Sequence, residues 1–267
     1  TSTRIIMKKY IILDQSGHRG GKLAESGLTD MKNRLTEFLK LAMSLRLQPV
    51  MPHIILAREH STKRNAVLAD YIDVPKECRI LNQLPKNTPS DEVFVFRPAP
   101  IFKYEGLHLN QETQKAKISL YIPYKSKYKA IAEEIVNSLR RPLCTIHVRR
   151  GDYLRIKKSL VETTKPENIA KHLANHTCSD IYIMTNEKST TFFESLRISH
   201  GVKQYFDFEP LIALKDNYEL YCVEWYILSL SDVRISTFDT SKAEVKWMPY
   251  INPKFFHDHL DKHEGYQ

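Results

Sequence analysis

No stretch of this 267-residue chain approaches the roughly 20 consecutive apolar residues that a membrane-spanning helix requires. The most apolar run near its start, Tyr10-Ile11-Ile12-Leu13, is too short for the core of a signal peptide. The chain therefore reads as soluble, whether it is whole or trimmed from a longer or anchored protein. Its four cysteines, Cys78, Cys144, Cys178 and Cys222, are widely spaced and form no CxxC pair, which argues against a four-cysteine zinc site and a dense disulfide framework. Cys144 and Cys222 lie among apolar neighbours, the pattern of buried reduced thiols. That points to a reducing compartment, the cytoplasm rather than a secretory lumen. Internal repeats, low-complexity segments, zinc-finger spacings and aromatic RNP-like strands are all missing, so nucleic acid is not an expected partner. No Ser–His–Asp order, nucleophile elbow or HExxH pattern suggests a hydrolase.

What is present begins with charge. Forty Lys and Arg against thirty-one Asp and Glu give a formal net charge of +9. Such a balance fits anionic partners, phosphate-bearing ligands among them, and equally fits a solvated basic surface, because the cations are scattered and form no long run.

Hydrophobic periodicity implies an α/β chain. Arg4 to Leu13 reads as a strand running into a loop with Gly17, Gly20 and Gly21. Thr29 or Asp30 is placed to cap a helix over 31–47, where Met31, Leu35, Phe38, Leu39, Ala42, Met43 and Leu45 recur at helical spacing. An extended segment begins at Val50-Met51-Pro52, and residues 92–96 alternate as a strand. Further on, a helix over 127–139 precedes the strand Leu143-Cys144-Thr145-Ile146-His147-Val148. Helices are then expected over 166–173, 189–196 and 217–230, and strands over 180–184, 202–206 and 232–235. Short apolar strands alternating with helices imply parallel sheets covered on both faces, with ligands bound beyond the C-terminal ends of the strands. The loops after Val148, Met184 and Ile235 would then share one rim. The chain divides near residue 140 into two α/β halves with a cleft between them.

Three segments carry chemistry. The first is His147-Val148-Arg149-Arg150-Gly151-Asp152-Tyr153. Two adjacent arginines directly after an apolar strand are costly to bury without an anion, and a guanidinium fork fits phosphate oxygens. Glycine lets a ligand approach the backbone, Asp152 can orient one arginine, and His147 can bond a ribose or base. A salt-bridged surface turn is the competing reading. The second segment, residues 222–241, is a helix leading into a strand that ends Ser236-Thr237-Phe238, with Thr240 and Ser241 beyond. Hydroxyls at a strand end suit a phosphate, and are also ordinary turn and cap residues. Within that helix Glu224 is either an exposed carboxylate or an acceptor for a guanine edge. The third segment, residues 26–35, places Asn33 and Arg34 either toward the cleft or on the surface of a capped helix.

Together these segments resemble the superfamily of α1,2-, α1,6- and protein O-fucosyltransferases. HVRRGDYL looks like its HxRRxD motif, and residues 180–189 resemble the strand ending in Thr-Asp that follows. Residues 224–241 resemble its helix–strand segment, and Gly27-Leu28 with Asn33-Arg34-Leu35 is similar to its Gly-Leu-x-Asn-Arg-Leu opening, with residues inserted. The resemblance implies a GT-B-like fold of two Rossmann-like halves: 1–140 on the acceptor side, 141–267 binding the donor. It implies an inverting transfer of a sugar, fucose from GDP-fucose being the leading case, to a glycan or glycoprotein hydroxyl, with no metal. No Asp-x-Asp stands in a strand-end setting, consistent with that; Asp258-His259-Leu260-Asp261 lies in a polar tail. Arg149 matches the arginine that grips the donor's β-phosphate. His147 and Glu224 match positions holding the nucleoside, and Ser236, Thr237 and Phe238 match the phosphate-binding turn. Arg150, Asn33 and Arg34 complete the expected donor site.

Two departures bear on mechanism. Glu224 stands where the α1,6 enzymes carry Asp, which lengthens the reach to the base. Lys157 occupies the place of the glutamate that serves those enzymes as general base, and a cation cannot take that part. Glu162 is the first substitute, with Asp14, Glu25 and Asp30 as others. Two readings compete with fucose transfer: the same fold moving rhamnose or xylose from GDP or UDP, and a noncatalytic protein binding nucleotides or polyanions.

Overall fold

In the computed structural model, the described residues are 9–13, 28–56, 66–96, 118–150, 154, 158–214, 216–236 and 248–249. They fall into two compact units, Thr1–Lys125 with Asp216–Tyr218, and Ser126–Lys215 with Glu219–Gln267. Both are α/β.

In the first unit, Tyr10-Ile11-Ile12-Leu13 combines aromatic and β-branched side chains and forms strand β1 (Tyr10–Leu13). It is the centre of a parallel sheet, between β2 (Gln48–Pro49) and β3 (Val93–Phe96). Pro49, which has no N–H to give, sits on an edge strand, where its loss to the ladder is tolerated. Helix α1 (Leu28–Ser44) buries Leu28, Met31, Leu35, Phe38, Leu39 and Ala42, the spacing of one helical face. It starts earlier than the sequence suggests, so Thr29 and Asp30 lie inside its first turn rather than capping it. It also stops sooner. Arg46 turns into the left-handed region at φ 55°, the Arg46 N–H bonds the Met43 carbonyl at 3.2 Å, and the Leu47 N–H bonds the Ala42 carbonyl at 2.9 Å. These two bonds are a Schellman stop, with arginine where glycine is usual.

The second unit opens with α2 (Ser126–Asn137) and the strand β4 (Leu143–Val148). β4 is central in the sheet order β5-β4-β6-β7, pairing in parallel with β5 (Asp180–Thr185) and β6 (Val233–Ser236). β7 (Met248–Pro249) adds antiparallel to β6. Cys144, Ile146 and Val148 face a core made with Ile181, Ile183 and Ile235 and covered by α4 (Pro166–Leu173) and α5 (Glu194–His200). A shorter helix, α3 (Ser159–Thr163), precedes these two, and α6 (Glu209–Ile212) follows. Helix α7 (Asn217–Ser229) is apolar almost all round and buries Cys222 through Ser229, as a helix enclosed on most sides must.

The N-terminal edge of β4 is tied on both sides. Asp180 accepts from the Arg140 backbone N–H at 2.7 Å and its guanidinium at 3.0 Å, while Asp232 accepts from Arg141 at 2.9 Å and the Leu143 N–H at 2.6 Å. The loops at the opposite, C-terminal edge are left to carry a site.

Three expectations need correction. Cys144 is not a reduced thiol but is bonded to Cys178, 34 residues away, joining β4 to the turn before β5. The sequence argument for a reducing compartment loses its premise, and only Cys78 and Cys222 remain as thiols. The helix expected over 189–196 begins instead at Glu194. Ser189 and Thr191 bond each other at 3.2 Å, and the Ser189 N–H goes to Glu187 at 3.1 Å, local bonds that compete with a helix start. The strand expected over 202–206 shrinks to one bridge, Lys203 with Tyr182, before a 3-10 turn over Tyr205–Asp207.

Candidate functional site

Parallel pairing in register places Val148 beside Thr185 and His147 beside Ser236. The segments after β4, β5 and β6 therefore open on one rim, as the alternation of strands and helices implied. Strand alternation sends Cys144, Ile146 and Val148 to one face and Thr145 and His147 to the other. Arg149 continues the second series. Its charge is felt at the His147 ring: burial first, then Arg149, lowers the imidazole's pKa to about 4. His147 is thus a neutral ring at physiological pH, able to accept and donate one hydrogen bond.

The two arginines of the motif have separate surroundings. Arg149 is half-buried, whereas Arg150 is 7% exposed and turned inward. The Arg150 Nε donates to Glu187 Oε2 at 2.7 Å, a terminal nitrogen donates to Thr164 Oγ1 at 2.5 Å, and the guanidinium lies 4.0 Å from the centre of the Phe192 ring. A buried cation needs such partners. Burial works against charge on Glu187, but the bonds from Arg150 and from the Ser189 and Lys188 N–H groups outweigh it and hold the carboxyl below its ordinary range. The backbone here is also secured by side chains. Thr185 Oγ1 donates to the Val148 carbonyl at 2.8 Å, and the Arg150 N–H donates to Asn186 Oδ1 at 2.7 Å. Thr185, Asn186 and Glu187 lie in the segment 180–189 that resembles the family's strand ending in Thr-Asp, but the sequence assigns none of them an individual role. Thr164 and Phe192 carry no signal in the sequence.

Glu224 is buried on α7, and Tyr182 Oη donates to its Oε1 at 2.8 Å. Burial pushes the carboxyl's pKa up to about 8, with the Tyr182 bond opposing. Burial, followed by the neighbouring Glu224, drives the Tyr182 hydroxyl well above its usual range. The exposed-carboxylate reading of Glu224 is overturned: it is 5% exposed. At neutral pH it is mostly a protonated acid.

Other expected residues are distributed as follows. Ser236 ends β6, while Thr237, Phe238, Gly151, Asp152 and Lys157 lie outside the described residues, as do Asp14, Glu25 and the side chain of Asp30. Asn33 and Arg34 sit half-buried on α1 in the first unit. Glu162 is an exposed carboxylate at 66%, in an ion pair with Lys165 at 2.7 Å. The Lys165 bond lowers its pKa, which weakens it as a base. Among the described residues, no three His, Cys, Asp or Glu side chains group as metal ligands would, and no helix is long and apolar enough to cross a membrane.

An α/β molecule with parallel sheets and a cationic rim on the central strand defines a class, and comparison with known structures narrows it. No protein-family model and no curated protein sequence matches the chain. Solved structures do. The crystal structure of POFUT1 in complex with GDP matches 86% of this chain and 90% of its own, with a TM-score of 0.50 at 12% identity. POFUT1 in complex with GDP-fucose matches 85% and 90%, again with a TM-score of 0.50 at 12% identity. The chain shares the GT-B-like fold of POFUT1.

Proposed function

We propose that the protein is a glycosyltransferase of the fucosyltransferase type, moving fucose from GDP-fucose to a hydroxyl of a glycan or glycoprotein. What supports this most is the arginine pair on the C-terminal end of β4 in a chain sharing the fold of POFUT1, which has been crystallised with GDP and with GDP-fucose. As the glycosidic bond breaks, negative charge builds on the diphosphate, and Arg149 is the group that stabilises it, supplying the charge without a metal. Neutral His147 bonds the nucleoside. Ser236, Thr237 and Phe238 form the phosphate turn, and Glu224 faces the base. Residues 141–267 hold the donor, and 1–140 form the acceptor side. In an inverting transfer a carboxylate takes the acceptor hydroxyl's proton. Glu162, exposed and committed to Lys165, is a poor choice, so that part falls to Asp14, Glu25 or Asp30. The Cys144–Cys178 bond favours an oxidising compartment.

The test is calorimetric titration with GDP, UDP, ADP and CDP, without added metal, on the wild type and Arg149→Ala. Loss of one charge-assisted phosphate contact should cost about 1.5–3 kcal/mol, roughly ten- to a hundredfold in affinity. Selective GDP binding that collapses in the variant supports the reading, and UDP preference moves it to another donor. If no nucleotide binds, or Arg149→Ala binds as well as wild type, the donor site is wrong. GDP binding without donor turnover would identify a noncatalytic binder.

A further inference from the structure

Arg149 lies between two peptide planes, and the rim residues of β5 hold both. The plane before it is held at the Val148 carbonyl by Thr185 Oγ1, at 2.8 Å, and the plane after it is held at the Arg150 N–H by Asn186 Oδ1, at 2.7 Å. Peptide planes are rigid, so fixing both leaves the Arg149 Cα little freedom, and the direction of its side chain is set by the backbone. The hold extends further. The Thr185 hydroxyl that donates to Val148 also accepts the Glu187 N–H at 3.0 Å, and Glu187 binds the Arg150 guanidinium at 2.7 Å. Arg150 is pinned from three directions, by Glu187, Thr164 and the Phe192 ring. Its charge is thereby neutralised locally by Glu187. Parallel register produces this arrangement, because Val148 and Thr185 end their strands side by side.

We propose that Thr185, Asn186 and Glu187 are positioning residues for Arg149: they hold the two peptides that flank it and occupy its neighbour, so that its guanidinium is preorganised for an anionic phosphate. The proposal rests on Arg149 being the donor-phosphate residue. Groups held in place before the ligand arrives bind more tightly because no ordering cost remains to be met on binding.

A double-mutant cycle tests it, with GDP titrated into wild type, Asn186→Ala, Arg149→Ala and the double variant, each checked for folding by its melting transition. Asn186→Ala should weaken GDP binding about five- to twentyfold, and Asn186→Asp, which keeps the acceptor oxygen, should restore most of that loss. In the Arg149→Ala background the same Asn186→Ala change should cost less than about twofold, since a residue acting through Arg149 has nothing left to act on. Equal losses in both backgrounds would show a general structural effect and overturn the proposal. So would an Asn186→Ala protein that binds GDP like wild type while Arg149→Ala does not; then only the bracket fails. If Arg149→Ala binds GDP as wild type does, the donor-site reading fails and takes the bracket with it. Should Asn186→Ala not fold, Glu187→Gln replaces it in the same cycle. It retains an acceptor oxygen, and its severalfold loss should likewise vanish without Arg149.

Discussion

Glu224 and His147 are both displaced from their ordinary ionisation, and in opposite senses. The Glu224 carboxyl, raised by burial from 4.5 to about 8, stays protonated in the folded protein at pH values where an unfolded chain has released the proton. Its contribution to stability is full below about 4.5 and is lost as pH rises to about 8. The His147 imidazole, lowered from 6.5 to about 4, works the other way: its contribution is present above 6.5 and is lost as pH falls toward 4. The two oppose each other at acid pH, and between 6.5 and 8 Glu224 acts without His147. The carboxylates held low, Glu187, Asp180, Asp207 and Asp232, matter only further into acid. Unfolding free energies from denaturant titrations across pH 6.5–8 should therefore fall for the wild type by up to about 1.4 kcal/mol per pH unit. Glu224→Gln should flatten that slope by about one proton's worth. An unchanged slope would mean that Glu224 is already ionised in the folded protein. None of this was readable from the sequence, where a glutamate in an apolar helix fits an outward-facing carboxylate as well as a buried one. The Tyr182 partner lies 42 residues away, on another element.

At the level of elements, the parts dictated by local pattern were legible. β4 and α4 have the expected limits, because an unbroken apolar run and a proline at the first helical turn are signals carried by neighbouring residues. The ends of α1 were not, since its stop depends on the backbone of one non-glycine residue. Arg46 holds φ 55°, a conformation that glycine adopts without cost and other residues do not. Arg46 is exposed, so Arg46→Gly removes the strain and no buried contact, and should stabilise the protein by about 0.5–1 kcal/mol. A rise in the chemical denaturation midpoint checks it; a fall would show that the Arg46 side chain contributes more than its backbone loses. The late start of α5 and the missing strand over 202–206 share one cause. Side chains of Ser189, Glu187 and Gln204 satisfy nearby backbone and hydroxyl groups, diverting segments whose apolar spacing alone favoured regular structure.

For the whole molecule, the cysteines give the most direct check. Of the four, Cys78 and Cys222 are thiols and Cys144 and Cys178 are joined, so a thiol reagent applied under denaturing, non-reducing conditions should label two sites rather than four. Cys178→Ser should cost about 2–4 kcal/mol of stability. Labelling of all four would restore the case for a reducing compartment. That the fold of POFUT1 is shared at 12% identity, while no curated sequence matches, follows from how folds are encoded. Apolar periodicity and turn positions suffice to direct an α/β chain, and many sequences supply them. The amino-acid sequence by itself determined the α/β order, the parallel strands and the arrival of two arginines on one rim, because each is written in residues close together along the chain. Only the tertiary structure decided that Arg150 is committed to Glu187 and Thr164, 37 and 14 residues away, that Cys144 meets Cys178, 34 away, and that Glu224 is buried against Tyr182. Those outcomes depend on which elements pack together, and burial and pairing do not exist until they do.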